Sequence, residues 1–128
     1  MSARHKLGLT LLAGVAIGLA AGTAIHAQQT KPAPGYVVAE LEVTDAAGFQ
    51  KYVQALGPTL APFNAHTLIR GKPQALEGSA PKSFVVIGFD SAERAKAWYD
   101  SPAYQAIIPL RLNSAKTTAF IVEGVLTP

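Results

Sequence analysis

Gly35-Tyr36-Val37-Val38-Ala39-Glu40-Leu41-Glu42-Val43 alternates along its whole length. Val37, Ala39, Leu41 and Val43 fall on one side of an extended chain, and Tyr36, Val38, Glu40 and Glu42 on the other, because successive side chains of a strand point in opposite directions. Such a period of two predicts a β-strand with one face packed on a core. The next residues supply a packing partner. Asp45 is a helix cap, and Phe49, Tyr52, Val53, Leu56, Leu60 and Phe63 recur behind it at helical spacing, which predicts an amphipathic helix facing the sheet. Gly57-Pro58 is expected to weaken or kink this helix and Pro62 to end it.

A second strand is expected at His66 to Arg70, followed by a turn-rich hairpin loop from Gly71 to Lys82 with Pro73, Gly78 and Pro81. Ser83 to Phe89 is apolar almost throughout and belongs at the centre of a sheet. Ser91 caps a second helix that runs to Tyr99, with Glu93 in the first turn where the helix dipole favours a carboxylate. Ser101-Pro102 is a fresh cap with a first-turn proline, so a further short helix begins there and Pro109 limits it. Thr117 to Val125, rich in β-branched and aromatic residues, closes the chain as a strand.

The order β-α-β-β-α-β predicts an α+β fold, a ferredoxin-like sandwich with a four-stranded antiparallel sheet. Helices in that order cover one face of the sheet. The other carries Phe84 and Val86 by alternation from Val85 and Ile87, and leaving it in water would expose an apolar patch. Pairing of two open faces removes the patch, so a homodimer is expected.

Upstream of the strand, Arg4, His5 and Lys6 precede an uncharged run from Leu7 to Ile25 that ends in Ala27-Gln28. This is the order of a secretory signal, so residues 1–27 are expected to be cleaved and the remainder to be periplasmic or secreted. The alternative is an uncleaved membrane anchor, because the run is about long enough to span a bilayer and Gly14, Gly18 and Gly22 repeat at small-residue spacing. Residues 28–34 read as a polar, proline-containing linker, and residues 35–128 as the folded domain.

Of the eleven Lys and Arg in the 128 residues, loss of Arg4 and Lys6 leaves nine against eight Asp and Glu. A nearly neutral domain with no basic cluster argues against nucleic acid as a partner. The chain has no Cys, which excludes disulfides, thiolate catalysis and Cys-based metal sites. No phosphate loop or dinucleotide fingerprint is present, and no cofactor is expected.

Tyr36-Val37-Val38, Val43-Thr44-Asp45, Tyr52, Arg70-Gly71, Glu77-Gly78, Val85-Val86-Ile87, Ala97-Trp98-Tyr99, Ser101-Pro102, Tyr104-Gln105, Pro109-Leu110-Arg111 and Glu123-Gly124 resemble the family known as domain of unknown function 1330. The Trp-Tyr-x-Ser-Pro-x-Tyr-Gln run is the most specific part of the resemblance. It implies a dimeric α/β barrel, in which two ferredoxin-like sheets face each other around a cavity, and no established reaction. Before the second strand the family tends to have an aromatic residue, two glycines and an Arg, where this chain has Phe63-Asn64-Ala65-His66.

Several residues carry chemistry on the faces so assigned. Glu40 and Glu42 share the open face, with Cα atoms about 6.6 Å apart in a strand, and Glu123 lies on the neighbouring last strand. Clustered carboxylates out of water raise at least one pKa, which suits an acid or base at neutral pH; the alternative is a solvated rim or structural pairing with Arg. His66 is the one His left after cleavage, too few for a His-based metal site; it is either a general base or an exposed strand-end residue. Arg70, given the strand parity of His66 and Leu68, and Arg111 are candidates to hold an anion, or else to pair with Glu40, Glu42 or Glu123. Tyr36 and Phe84 would line the same cavity. Trp98, Tyr99 and Tyr104 could line an aromatic pocket, but such residues on a helix are more often core, with the polar tip reaching a backbone group.

These features predict an exported homodimeric domain that binds a small apolar or aromatic anion in a cavity between two sheets, with Glu40, Glu42 and His66 as catalytic candidates and Arg70, Arg111, Glu123, Tyr36 and Phe84 as ligand contacts. A cofactor-independent enzyme, monooxygenase-like or isomerase-like, is the alternative by fold analogy. A purely structural module is the third reading.

Overall fold

A computed structural model describes residues 31–126. The expected secretory segment, 1–27, and the start of the linker lie outside the described residues. Strand β1 spans Gly35–Val43, helix α1 Ala46–Leu60, β2 His66–Gly71, β3 Ser83–Phe89, α2 Ala92–Asp100, α3 Pro102–Leu112 and β4 Ala115–Glu123. The strands form one antiparallel sheet in the order β2-β3-β1-β4. This is the α+β ferredoxin-like architecture expected, with an extra helix where Ser101-Pro102 restarts the chain.

The alternation read in β1 governs the layers. Val37 and Leu41 are buried against the helices together with Val85, Ile87 and Phe89 of β3. Against this surface pack Tyr52, Leu56 and Leu60 of α1, Ala95 and Trp98 of α2, and Tyr104 of α3. Trp98 is the centre of the core, only 1% exposed, with its ring 3.9 Å from that of Tyr104 and 5.4 Å from that of Phe89. Its indole N–H donates to Thr59 Oγ1 at 3.0 Å, and that hydroxyl donates to the Leu56 carbonyl at 2.7 Å, so the buried polar edge of the Trp is served.

Among the described residues nothing covers the opposite face. Register aligns Ile69, Val86, Val38 and Phe120 in one row across all four strands. The two outer members, Ile69 and Phe120, are about half exposed.

Caps are placed as the sequence indicates. Asp45 accepts from Gly48 N–H at 3.2 Å, Ser91 Oγ from Arg94 N–H at 3.1 Å, and Ser101 Oγ from Tyr104 N–H at 3.3 Å. Helix α1 ends at Leu60 ahead of Pro62, as expected, whereas Pro109 does not limit α3. Helix α1 continues through Gly57-Pro58, and a 3-10 turn carries Ala61–Phe63; α3 likewise continues through Pro109 to Leu112. Each proline removes one backbone hydrogen bond, but Leu56, Thr59 and Leu60 around the first and Arg111 after the second are buried, and tertiary packing holds the helix where propensity opposes it.

Two further differences concern β2 and β4. Strand β4 starts at Ala115 rather than Thr117, because Ser114 O accepts from Thr44 N–H at 2.8 Å and from Asp45 N–H at 3.1 Å, bringing Ala115 opposite Val43. In β2 the register shifts between Thr67 and Ile69, leaving Leu68 as an extra residue. The bulge reverses the parity of the residues after it. His66 pairs with Gly88 on the open face, whereas Arg70 pairs with Val85 on the helix-facing side. Asn64, which stands where the family tends to have glycine, has φ of 50°, the left-handed conformation that Asn tolerates better than most residues.

Candidate functional site

A cavity of about 80 Å3 lies between the sheet and the helices, against the ~10–15 Å3 that a single water needs. Its floor is the helix-facing side of β1, β3 and β4, and its walls include Phe49 and Leu56 of α1 and the rings of Trp98, Tyr99 and Tyr104. The lining is largely apolar and aromatic, with Tyr52, Tyr99, Tyr104, Arg70, Arg111, Ser83 and Thr117 contributing polar groups. An apolar chamber with a few polar groups aimed into it is the usual form of a small-molecule site.

The polar groups are placed by the fold. Tyr52 on α1 and Tyr104 on α3 meet hydroxyl to hydroxyl at 2.9 Å. Either can donate, so one of the two protons stays free for another acceptor. Burial pushes the Tyr52 phenol well above the ordinary tyrosine range, and Tyr104 adds to the shift, while the Arg111 guanidinium beside it acts in the opposite direction. Tyr52 is therefore a neutral phenol throughout the physiological range.

Arg111 sits at the end of α3, buried to 9% exposure. Among the described residues the single ion pair is Lys96 with Asp100, at 2.9 Å on the surface. Arg111 thus has a buried positive charge and, among the described residues, no carboxylate partner. Arg70 lines the same cavity from the edge strand β2 and is exposed.

The remaining sequence candidates are not gathered there. Glu40 and Glu42 are on the open face of β1, Glu40 opposite Phe84 and Thr118 and Glu42 opposite Lys116. His66 is exposed on that same face at the start of β2. Tyr36 and Phe84 also lie on the open face, Tyr36 opposite Gly88 and Val122. Glu123 pairs with Gly35 at the other end of β1 from Glu42, so it shares the parity of the buried face and does not join the two glutamates. Arg70 is the corresponding correction on β2: the bulge at Leu68 separates it from His66 and turns it to the helix side. The cavity formed within the chain is therefore on the helix side of the sheet, and Arg70 and Arg111 are the two expected contacts that it brings together.

Sequence periodicity does not mark Tyr52 or Thr117 as site residues. Helical spacing assigns Tyr52 to the core, where it is indeed buried. Thr117 carries a usable signal, a hydroxyl at a position that alternates with the buried face, but only the register with Leu41 identifies that face. Tyr99 and Tyr104 are both core residues and cavity wall.

The sequence matches a family model described as a domain of unknown function, DUF1330, over residues 34–125. No protein with a curated description matches it. Among solved structures it is similar to a protein of unknown function from Rhodopseudomonas palustris, with TM-score 0.62 and 12% identity over 84% of this chain and 93% of that one. A dimeric ferredoxin-like protein of unknown function from Thermobifida fusca aligns with TM-score 0.52 and 16% identity over 75% of this chain and 95% of that one. SnoaB, a cofactor-independent oxygenase from Streptomyces nogalater, aligns with TM-score 0.54 and 11% identity over 74% and 96%. At these identities the likeness is one of fold. Through the family match over most of its length, the chain belongs to the DUF1330 family.

Proposed function

We propose that this is a homodimeric binding domain that takes a small aromatic or apolar acid into the cavity between its sheet and its helices. The observation that carries the reading is Arg111. A guanidinium this far out of water is costly unless it meets an anion or several acceptors. The described residues offer it a tyrosine hydroxyl and no carboxylate. A carboxylate entering the cavity would accept from Arg111 and from the free proton of the Tyr52–Tyr104 pair, while the aromatic lining received its apolar part. Arg70 adds a second positive charge from the β2 side.

Dimerisation is proposed through the open face. Leu68, Ile69, Phe120 and Val122 leave apolar surface there that a second sheet would cover, and two solved neighbours of the same fold are described as dimeric. The catalytic alternative has less support. Glu40, Glu42 and His66 lie on the opposite face from the cavity, which leaves the Tyr52–Tyr104 pair, the two arginines and the hydroxyls of Tyr99, Ser83 and Thr117 as its polar chemistry.

The test is calorimetric titration of benzoate and phenylacetate into the purified protein and into Arg111→Gln. Hydrogen bonds to a charged group are worth about 1.5–3 kcal/mol, so the substitution should weaken binding by about 10- to 100-fold. Equal binding by both proteins, or none by either, would reject the reading.

A further inference from the structure

Thr117 Oγ1 is buried and has no hydrogen-bond partner among the described residues. Its position explains why the protein does not serve it. Thr117 is on β4 directly opposite Leu41, with its side chain on the helix-facing side of the sheet. The adjoining positions on that side, Ala39 and Ala119, are apolar. A subunit docked on the open face would lie across the sheet from it. On the inner side of the sheet Thr117 lines the cavity that Arg111 also lines.

A buried hydroxyl without a partner destabilises the free protein, and valine would fill the same strand position with the same branching and no such cost. Thr117 and Leu41 also border an outer groove of about 310 Å3 flanked by Glu40, Glu42, Lys82 and Lys116. The pair therefore forms the wall between the cavity and the surface.

Resting on the reading of the cavity as an acid-binding site, we infer that its ligand carries a second polar group, a hydroxyl or carbonyl, that hydrogen-bonds to Thr117. The preferred class is then a hydroxy- or oxo-substituted aromatic or apolar acid rather than a simple one. The hydroxyl of Thr117 discriminates because an acid without the second group leaves it unpaired, whereas a matching one completes it.

The experiment compares benzoate with its three monohydroxy isomers by calorimetry, on the purified protein, on Thr117→Val and on Thr117→Ser. At least one hydroxybenzoate should bind about fivefold to tenfold more tightly than benzoate, the range expected of one hydrogen bond. Thr117→Val should erase that preference and raise the melting temperature by about 4 °C or more, and Thr117→Ser should keep the preference. No isomer exceeding benzoate, or a preference that survives in Thr117→Val, would overturn the inference and leave the acid site standing. Absence of binding by all four acids would remove both.

Discussion

The hydroxyl oxygens of Tyr52 and Tyr104 lie 2.9 Å apart and join helix α1 to helix α3 inside the cavity. Burial raises the Tyr52 pKa above its unfolded value near 10. Above pH 10 the native state therefore holds a proton that the unfolded chain releases. The sign of the linkage is that stability is fully present below pH 10 and falls as the pH rises, by about 1.4 kcal/mol per pH unit for this one group. Denaturant unfolding between pH 9 and 11.5 should show the decline, and Tyr52→Phe should reduce its slope by one proton. An unchanged slope in Tyr52→Phe would refute the assignment.

Trp98 depends on Thr59 for its one hydrogen bond. Thr59→Val keeps the shape but leaves the indole N–H unpaired in the core, at a cost of about 1–3 kcal/mol. Thr59→Ser should lose less. Urea unfolding monitored through the single Trp measures both, and a Thr59→Val protein as stable as the native one would show that the contact is energetically idle.

How far these relationships can be read from sequence depends on their range. The alternation of Gly35 to Val43 and the caps at Asp45, Ser91 and Ser101 are local, and each is found where local chemistry places it. Pro58 and Pro109 depart from the local rule because burial of the flanking residues outweighs the hydrogen bond each removes. The bulge at Leu68 has no local signature. It depends on β3, where Gly88 leaves room for the Leu68 side chain; a Cβ at position 88 would lie 2.8 Å from Leu68 Cδ1. That one extra residue transfers Arg70 from one face of the sheet to the other, so a site drawn by counting along β2 falls on the wrong side. Glu123 illustrates the same point, since its face follows from pairing with Gly35 and not from its nearness in topology to Glu40.

The row Ile69, Val86, Val38 and Phe120 is the apolar centre of the open face. A charge at Val38, on a central strand, would be buried unpaired if two such faces met. Val38→Glu should convert the proposed dimer to monomer in light scattering, with helix content unchanged by circular dichroism. Persistence of the dimer would place the interface elsewhere.

Arg111 separates a structural from a ligand-binding role by the direction of its effect on stability. Met would replace the apolar stem and remove the buried charge. Arg111→Met should be as stable as the native protein or more stable, since no carboxylate among the described residues loses a partner. A loss of about 3 kcal/mol or more in chemical unfolding, as expected for breaking a buried pair, would show that the guanidinium is held by the protein itself.

The position of the ligand is tested most directly by crystals of the protein soaked in 4-iodobenzoate and measured for anomalous scattering. An iodine peak among the aromatic residues between sheet and helices, with the carboxylate at Arg111 and repeated in each protomer, is the expected result. Iodine between two facing sheets beside Glu40 and Phe84, or a cavity without iodine at saturating ligand, would contradict it.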